Sequence, residues 1–290
     1  MNHLKISFVI VNYNGERFLR GCIDSVLRQT LKIDQIIMVD NCSKDDSVNL
    51  INKEYPFVEV FVMERNLGLT DAYNFGMEHA RNEWVILANN DIVLEERCIE
   101  TLSASVMNTH TIAVPLFVSI HDPNLKQSCP VRYFPSLRFP WTSLRLKYET
   151  DGVFETDIAG FGLLLANRTE VGTIDSRFPI YFDEDDFSLE CKRKGIEIVL
   201  VSASKVYHYG SGTIGRISRK KIGLFLDGWV TFRIKWISPW LLLPSTVFAL
   251  IMQLYQHLLT AGNLERFLVP YATSVTERKL TSRGSENDRT

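Results

Sequence analysis

Short runs of β-branched and other apolar residues alternate with longer stretches in which apolar positions return every three or four residues. Ile6 to Val11 is too brief for a helix and ends in the turn formers Asn12, Asn14 and Gly15, so it reads as a buried strand. Phe18, Leu19, Cys22, Ile23, Val26 and Leu27 then make one apolar stripe on a helix. The alternation goes on with strands at Gln35 to Val39, Val58 to Met63 and Trp84 to Ala88. Between and after them, helices are predicted at Asp45 to Ile51, Thr70 to Ala80 and Ile92 to Met107. One strand and one helix in every stretch of about 25 to 30 residues predicts βαβ units, hence an α/β fold with an open, mostly parallel sheet and helices on both faces.

From Thr109 to Leu146 the periodicity weakens, and Pro115, Pro123, Pro130, Pro135 and Pro140 interrupt it among Tyr133, Phe134, Phe139 and Trp141. An irregular excursion that covers or lines a cleft is expected there. Regular structure resumes at Ile158 to Ala166, where Gly160 and Gly162 signal either a close approach to the backbone or a strand bulge. A helix from Phe187 to Lys194, closed by Gly195, and a strand from Ile196 to Val201 follow.

In such a sheet a ligand binds at the carboxyl ends of the strands. Here those ends are polar each time: Asn12 and Asn14 after the first, Asp40, Asn41, Ser43 and Asp45 after the second, Asn66 after the third, and Asn89, Asn90 and Asp91 after the fourth. Helix capping accounts for any one cluster. Their recurrence along one sheet edge points to a shared site.

The composition narrows what that site can hold. A chain of 290 residues with 46% hydrophobic and 23% charged residues is a folded globular protein, one large domain with something smaller attached. A net charge of -2 excludes a nucleic-acid surface held by bulk positive charge. The 5 cysteines are widely spaced with no C-x-x-C pair, which fits a reduced, cytosolic setting, and Met1 to Ile6 lacks the pattern of a signal peptide.

Neither G-x-G-x-x-G nor G-x-x-x-x-G-K-[ST] occurs, so bound phosphates would need another neutralising device. A divalent cation held by Asp91, with Asn89 as a weaker partner, supplies one. Asp183, Glu184, Asp185 and Asp186 form a run of acids whose mutual repulsion raises pKa values, as a general base requires; equally, they suit a helix N-terminus, as Lys192, Arg193 and Lys194 suit its end. His208, in the run Val206 to Gly212, is a further candidate ligand or an ordinary surface histidine.

Together these stretches resemble glycosyltransferase family 2, in particular its bacterial rhamnosyltransferase-like branch, over about residues 5 to 213. The resemblance rests on Val9 to Gly15, Val39 to Ser43 with Asp45 and Ser47, Asn66 to Gly68 with Asn74 and Gly76, Leu87 to Asp91, Gly160 to Ala166 and Phe182 to Phe187. It implies a GT-A fold over residues 1–215 and an inverting transfer of a sugar from a UDP- or dTDP-sugar to a saccharide or lipid-linked saccharide hydroxyl. By the same resemblance Val11, Asn12, Asn14, Asp40, Asn66, Asn89 and Asn90 line the nucleotide-sugar pocket. Asp91 and His208 hold Mn²⁺ or Mg²⁺, and Glu184, with Asp183 beside it, is the base. Asn89 stands where many relatives have an acid, and Glu184 where Asp is common.

Trp236 to Leu264 contains no Asp, Glu, Lys or Arg and follows Arg216, Arg219, Lys220, Lys221, Arg233 and Lys235. That length spans a bilayer, but Pro239, Pro244 and several polar residues favour a helix lying at the interface or packed on the enzyme. Residues 216–275 are therefore expected to be a helical segment attached peripherally to the cytoplasmic membrane face, and 276–290 a disordered tail. The competing class is a catalytically silent nucleotide-sugar-binding or scaffold protein. A nucleotidyltransferase is disfavoured, because no Gly-rich basic loop follows the first strand.

Overall fold

Seven consecutive buried residues make β1 (Ile6–Asn12) the centre of a sheet, parallel to β2 (Gln35–Asp40) on one side and β4 (Trp84–Asn89) on the other. The computed structural model describes residues 4–122, 125–128, 131–132, 144–145, 151–210 and 219–237, with 239–240 and 247. Side chains alternate across β1. Phe8 and Ile10 join a core with Leu19 and Ile23 of α1 (Glu16–Leu27) and Leu50 and Ile51 of α2 (Ser47–Glu54). Val9 and Val11 join another with Ala72, Tyr73 and Met77 of α3 (Leu69–His79). A strand buried on both faces needs a continuous apolar run, which residues 8–11 provide. β3 (Glu59–Val62) closes this edge against β2.

The expected open α/β sheet is present, parallel from β3 through β2 and β1 to β4 and mixed beyond. β10 (Leu163–Asn167) lies antiparallel between β4 and β6 (Thr111–Ser119). β11 (Glu197–His208) runs parallel to β6 and antiparallel to both β5 (Ile92–Leu94) and β9 (Val153–Glu155). Small pieces complete the chain: α4 (Cys98–Ala104), a ladder of β7 (Val131–Arg132) with β8 (Leu144–Arg145), and α5 (Arg168–Val171). After them come α6 (Asp183–Arg193) and α7 (Arg219–Trp236).

Four expectations are corrected. The helix predicted from Ile92 to Met107 is β5 followed by α4, because Ile92 and Leu94 alternate as strand residues before the helical spacing of Cys98, Ile99 and Leu102 begins. The excursion from Thr109 opens with the buried strand β6, in which Pro115 sits where the β6–β11 register shifts and no backbone donor is required of it. The strand predicted from Ile196 to Val201 passes that bulge and continues to His208. The helix predicted from Phe187 begins at Asp183, so all four acids lie in its first turn.

Gly76 faces β1 so closely that an added Cβ would stand 2.2 Å from Val9 Cγ1. Gly76→Ala is therefore expected to lower stability by about 1–3 kcal/mol despite alanine's better helix propensity, as read by urea unfolding.

α7 packs on α6 and on the segment that leads into it. Phe232 is buried between Phe178 and Phe182, with ring centroids 6.4 and 5.6 Å away, and its burial contributes about 2–3 kcal/mol. Arg233 is buried and Lys235 sits among three carboxylates, so these two members of the expected lipid-facing basic flank are turned into the protein. Among the described residues no helix is long and apolar enough to cross a membrane. Most of the uncharged run to Leu264 lies outside them, as do Arg216, the tail 276–290, and Ser211 and Gly212 of the run after Val206.

Candidate functional site

The carboxyl ends of β1, β2 and β4 meet in one polar network. Asn12 is fully buried and donates from Nδ2 to Asp40 Oδ1 at 2.8 Å and to Ser43 Oγ at 3.1 Å. Asn90 Nδ2 donates to Asn12 Oδ1 at 2.5 Å. The Ser43 hydroxyl and backbone N–H both donate to Asp40, at 2.6 and 2.9 Å. Asp40 therefore carries a buried charge satisfied by three donors, and it fixes the loop after β2. That loop is locked further: Ser43 Oγ accepts from Asn14 N–H, and Asn14 Oδ1 accepts from Lys44 N–H. Gly15 makes room for Asn90, since a Cβ at residue 15 would overlap its amide.

Asn66 is exposed, and its Oδ1 accepts from Gly68 N–H. Asn41 bridges the same loop, accepting from Leu67 N–H and donating to the Gly68 carbonyl, both at 2.8 Å. Asn12, Asn14, Asp40 and Asn90 thus form one cluster, with Asn66 at its rim, while the Val11 side chain lies in the core beside α3.

Asn89 is engaged elsewhere. The buried Tyr73 hydroxyl lies 2.9 Å from both Asn89 Oδ1 and the Phe161 carbonyl. One hydroxyl proton cannot serve two acceptors. Turning the amide over, so that Asn89 donates to the hydroxyl and the hydroxyl donates to Phe161, satisfies all three groups. A carboxylate at 89 has no proton to give, which is a physical reason for Asn here.

Asp91, 6% exposed, leaves β4 and meets the end of β11: its Oδ2 stands 3.4 Å from His208 Nε2, and Tyr209 N–H donates to its carbonyl. The antiparallel pairing of β5 with β11, which puts Ile92 opposite His208, brings them together. His208 Nδ1 is 2.9 Å from Gln127 Oε1; in the tautomer that donates from Nδ1 to this oxygen, the Nε2 lone pair faces a carboxylate. Two acceptors facing each other need a proton or a cation between them. Among the described residues no group of three His, Cys, Asp or Glu surrounds a point. A cation here would take two protein ligands and leave its other positions to phosphate and water, which fits Mg²⁺ or Mn²⁺.

Because β10 is antiparallel, the residues entering it reach the same sheet edge, and the Phe161 N–H donates to Glu184 Oε1 at 2.9 Å. A Cβ at Gly160 would stand in ordinary contact, 3.8 Å from Glu184 Oε1, whereas one at Gly162 would press on the Phe117 ring at 2.8 Å. Burial, and then the Asp183 charge, push the Glu184 carboxyl above its ordinary range, while the Phe161 hydrogen bond draws it partly back. Asp183 is raised mainly by burial and next by Asp185 and Asp186. His208 is near enough to act on Glu184 electrostatically.

All the non-glycine residues with positive φ among those described border this edge: Asn14 and Cys42 beyond β1 and β2, Tyr181 and Phe182 ahead of α6. Strain gathered this way marks a functional surface. Tyr73 and Gln127 were not singled out from sequence, and neither carries a local signal, because their partners are 88 and 81 residues away. A cleft of about 420 Å³ beside Asp175, Asp186, Glu190 and Lys235 contains none of the predicted site residues.

A model of glycosyl transferase family 2 matches residues 7–159, more than half of the chain. The glycosyltransferase GlyA of Streptococcus pneumoniae serotype 4 is 30% identical over 122 residues, which is 41% of this chain and 17% of that protein. The succinoglycan biosynthesis protein ExoO of Rhizobium meliloti is 26% identical over 226 residues, covering 74% of this chain and 63% of its own. Among solved structures, GalNAc-T7 with UDP, GalNAc and Mn²⁺ superposes with a TM-score of 0.60 at 20% identity, over 71% of this chain and 44% of that one. The chain spans less than two thirds of each of these proteins, and the last likeness is one of fold.

Proposed function

Since this chain belongs to glycosyltransferase family 2, we propose that it transfers a sugar from a UDP- or dTDP-sugar to a saccharide hydroxyl, with inversion and with a divalent cation. The observation that carries this reading is the convergence on one sheet edge of the Asn12–Asp40–Asn90 network, the Asp91–His208 pair and a Glu184 carboxyl held by Phe161 N–H. The network and Asn66 take the nucleoside, and Asp40 acts through the loop it fixes as well as through its remaining acceptor capacity. Asp91 and His208 hold the cation; Asn89 supports Tyr73 instead. When bound, the cation supplies positive charge against the departing diphosphate.

Glu184 accepts the proton of the acceptor hydroxyl as that oxygen attacks the anomeric carbon, and the bond from that carbon to the diphosphate oxygen breaks on the opposite face. A raised proton affinity suits this step, and the charge of Asp183 beside it helps to raise it. A lipid-linked acceptor, a place in bacterial surface polysaccharide synthesis, kinship with the rhamnosyltransferase-like branch and peripheral attachment to the cytoplasmic membrane face through residues 236–264 belong to the same proposal. The bacterial relatives and the apolar run support it.

The competing reading is a silent nucleotide-sugar-binding protein. Incubating the protein with UDP- and dTDP-sugars separates the two: slow, Mn²⁺-dependent release of the nucleoside diphosphate is expected, and binding without release would favour the silent protein.

A further inference from the structure

The four acids that open α6 do not share one environment. Asp183 and Glu184 belong to the site, whereas Asp186, 1% exposed, is held by α7. Lys235 Nζ stands 2.8 Å from Asp186 Oδ1, 2.9 Å from Asp175 Oδ2 and 3.1 Å from Glu190 Oε1. Trp236 Nε1 donates to Asp186 Oδ1 at 2.6 Å. On the other side of the proposed base, Phe232 and Phe225 pack on the ring of Phe182, and Gly228 lets α7 approach that ring to within 3.1 Å of where its Cβ would be. Phe182 holds a left-handed conformation at φ 59 immediately before Asp183, a geometry that needs outside support.

We propose that α7 is a positioning element for the reaction, with Lys235 and Trp236 as its positioning residues. The helix grips residues 182 and 186, which bracket Asp183 and Glu184, and so sets the first turn of α6 against the Phe161 N–H. Without the Lys235 ammonium, Arg177 still faces Asp175 and Arg193 still faces Glu190, but the buried Asp186 loses its cation, and the cheapest relief is a shift of α6. Among the described hydrogen bonds of Asn12, Asp40 and Asn90 none reaches this cluster; the nearest link is at the rim, where Leu69 N–H donates to the Pro179 carbonyl. This inference rests on reading Glu184 as the acceptor base.

The test compares full-length Lys235→Met, Lys235→Arg and Trp236→Phe with wild type in three readouts. These are turnover of the nucleotide-sugar that wild type hydrolyses fastest, calorimetric affinity for UDP with Mn²⁺, and amide exchange. Lys235→Met is expected to lower kcat about 10- to 100-fold, the loss that a misplacement of about 1 Å brings. UDP affinity stays unchanged, exchange rises at residues 183–187 but not in β1, and Lys235→Arg recovers most of kcat. Trp236→Phe deletes one donor and shows the same split at smaller amplitude, even where Lys235→Met does not fold. Unchanged kcat and exchange overturn the proposal. So does loss of UDP binding and β1 protection along with turnover, which marks a purely structural contact. A wild type without turnover overturns the base assignment instead, and exchange at residues 183–187 then decides the positioning claim by itself.

Discussion

Glu184→Gln is expected to reduce turnover by about 10²- to 10⁴-fold, the usual contribution of a positioned general base, while UDP affinity with Mn²⁺ is unchanged. The amide keeps the size of the side chain and its acceptor oxygen, so the Phe161 N–H retains its partner; only the capacity to take a proton is lost. In the wild type the same carboxyl gives the rate its pH dependence. Burial and the Asp183 charge raise its pKa, so the base is protonated, and the rate low, below the raised value. The rate therefore rises with pH across the neutral range and not near the ordinary glutamate value of about 4.3. Rate measurements against pH on wild type and Glu184→Gln check both points, since the variant loses this limb along with the rate. A wild-type rate flat from mildly acid to mildly alkaline pH would remove Glu184 from the mechanism.

Asp91→Ala has the second large effect. It leaves His208 facing no carboxylate and takes away the anionic member of the two-residue cation pair. Losing a group that merely supports a ligand costs about 10- to 100-fold in metal affinity, so losing the ligand itself is expected to cost more than about 100-fold in Mn²⁺-dependent nucleotide binding. The fold tolerates the change, because the Asp91 carbonyl, which accepts from Tyr209, is a backbone group. Circular dichroism checks that the variant is folded.

The first half of the sheet was legible because each strand is a short apolar run ended by polar turn formers, and each helix shows its stripe: β1, β2, β4 and α1 lie within a residue or two of their predicted bounds. The second half was not. Pro115 inside β6 imitates a strand breaker, but it falls at the bulge opposite Val201, where a missing donor costs nothing. β5 is three residues long, and only its pairing with β11 makes it a strand. Nothing local in residues 92–107 separates it from the helix that follows.

The site divides in the same way. Asn12, Asp40, Asn90 and Asp91 could be named from their places after strands, since the topology of an open α/β sheet brings strand ends together. What each contacts depended on tertiary packing: Tyr73 takes Asn89, Gln127 orients His208, and Lys235, read as part of a basic flank, turned out to neutralise Asp186. Charge runs misled in both directions. The run from Asp183 to Asp186 is one motif in sequence and two environments in space, and the basic residues before Trp236 include the buried Arg233 and the half-buried Lys235.

If this sheet edge binds a nucleoside diphosphate through a cation held by Asp91 and His208, nucleotide affinity depends on both the metal and the Asp91 carboxylate. Calorimetric titration of wild type and Asp91→Ala with UDP and dTDP, in Mn²⁺ and in EDTA, tests it directly. Wild type is expected to bind only with Mn²⁺, and Asp91→Ala not to bind; equal affinity in Mn²⁺ and EDTA, or binding that survives Asp91→Ala, would rule the cation site out.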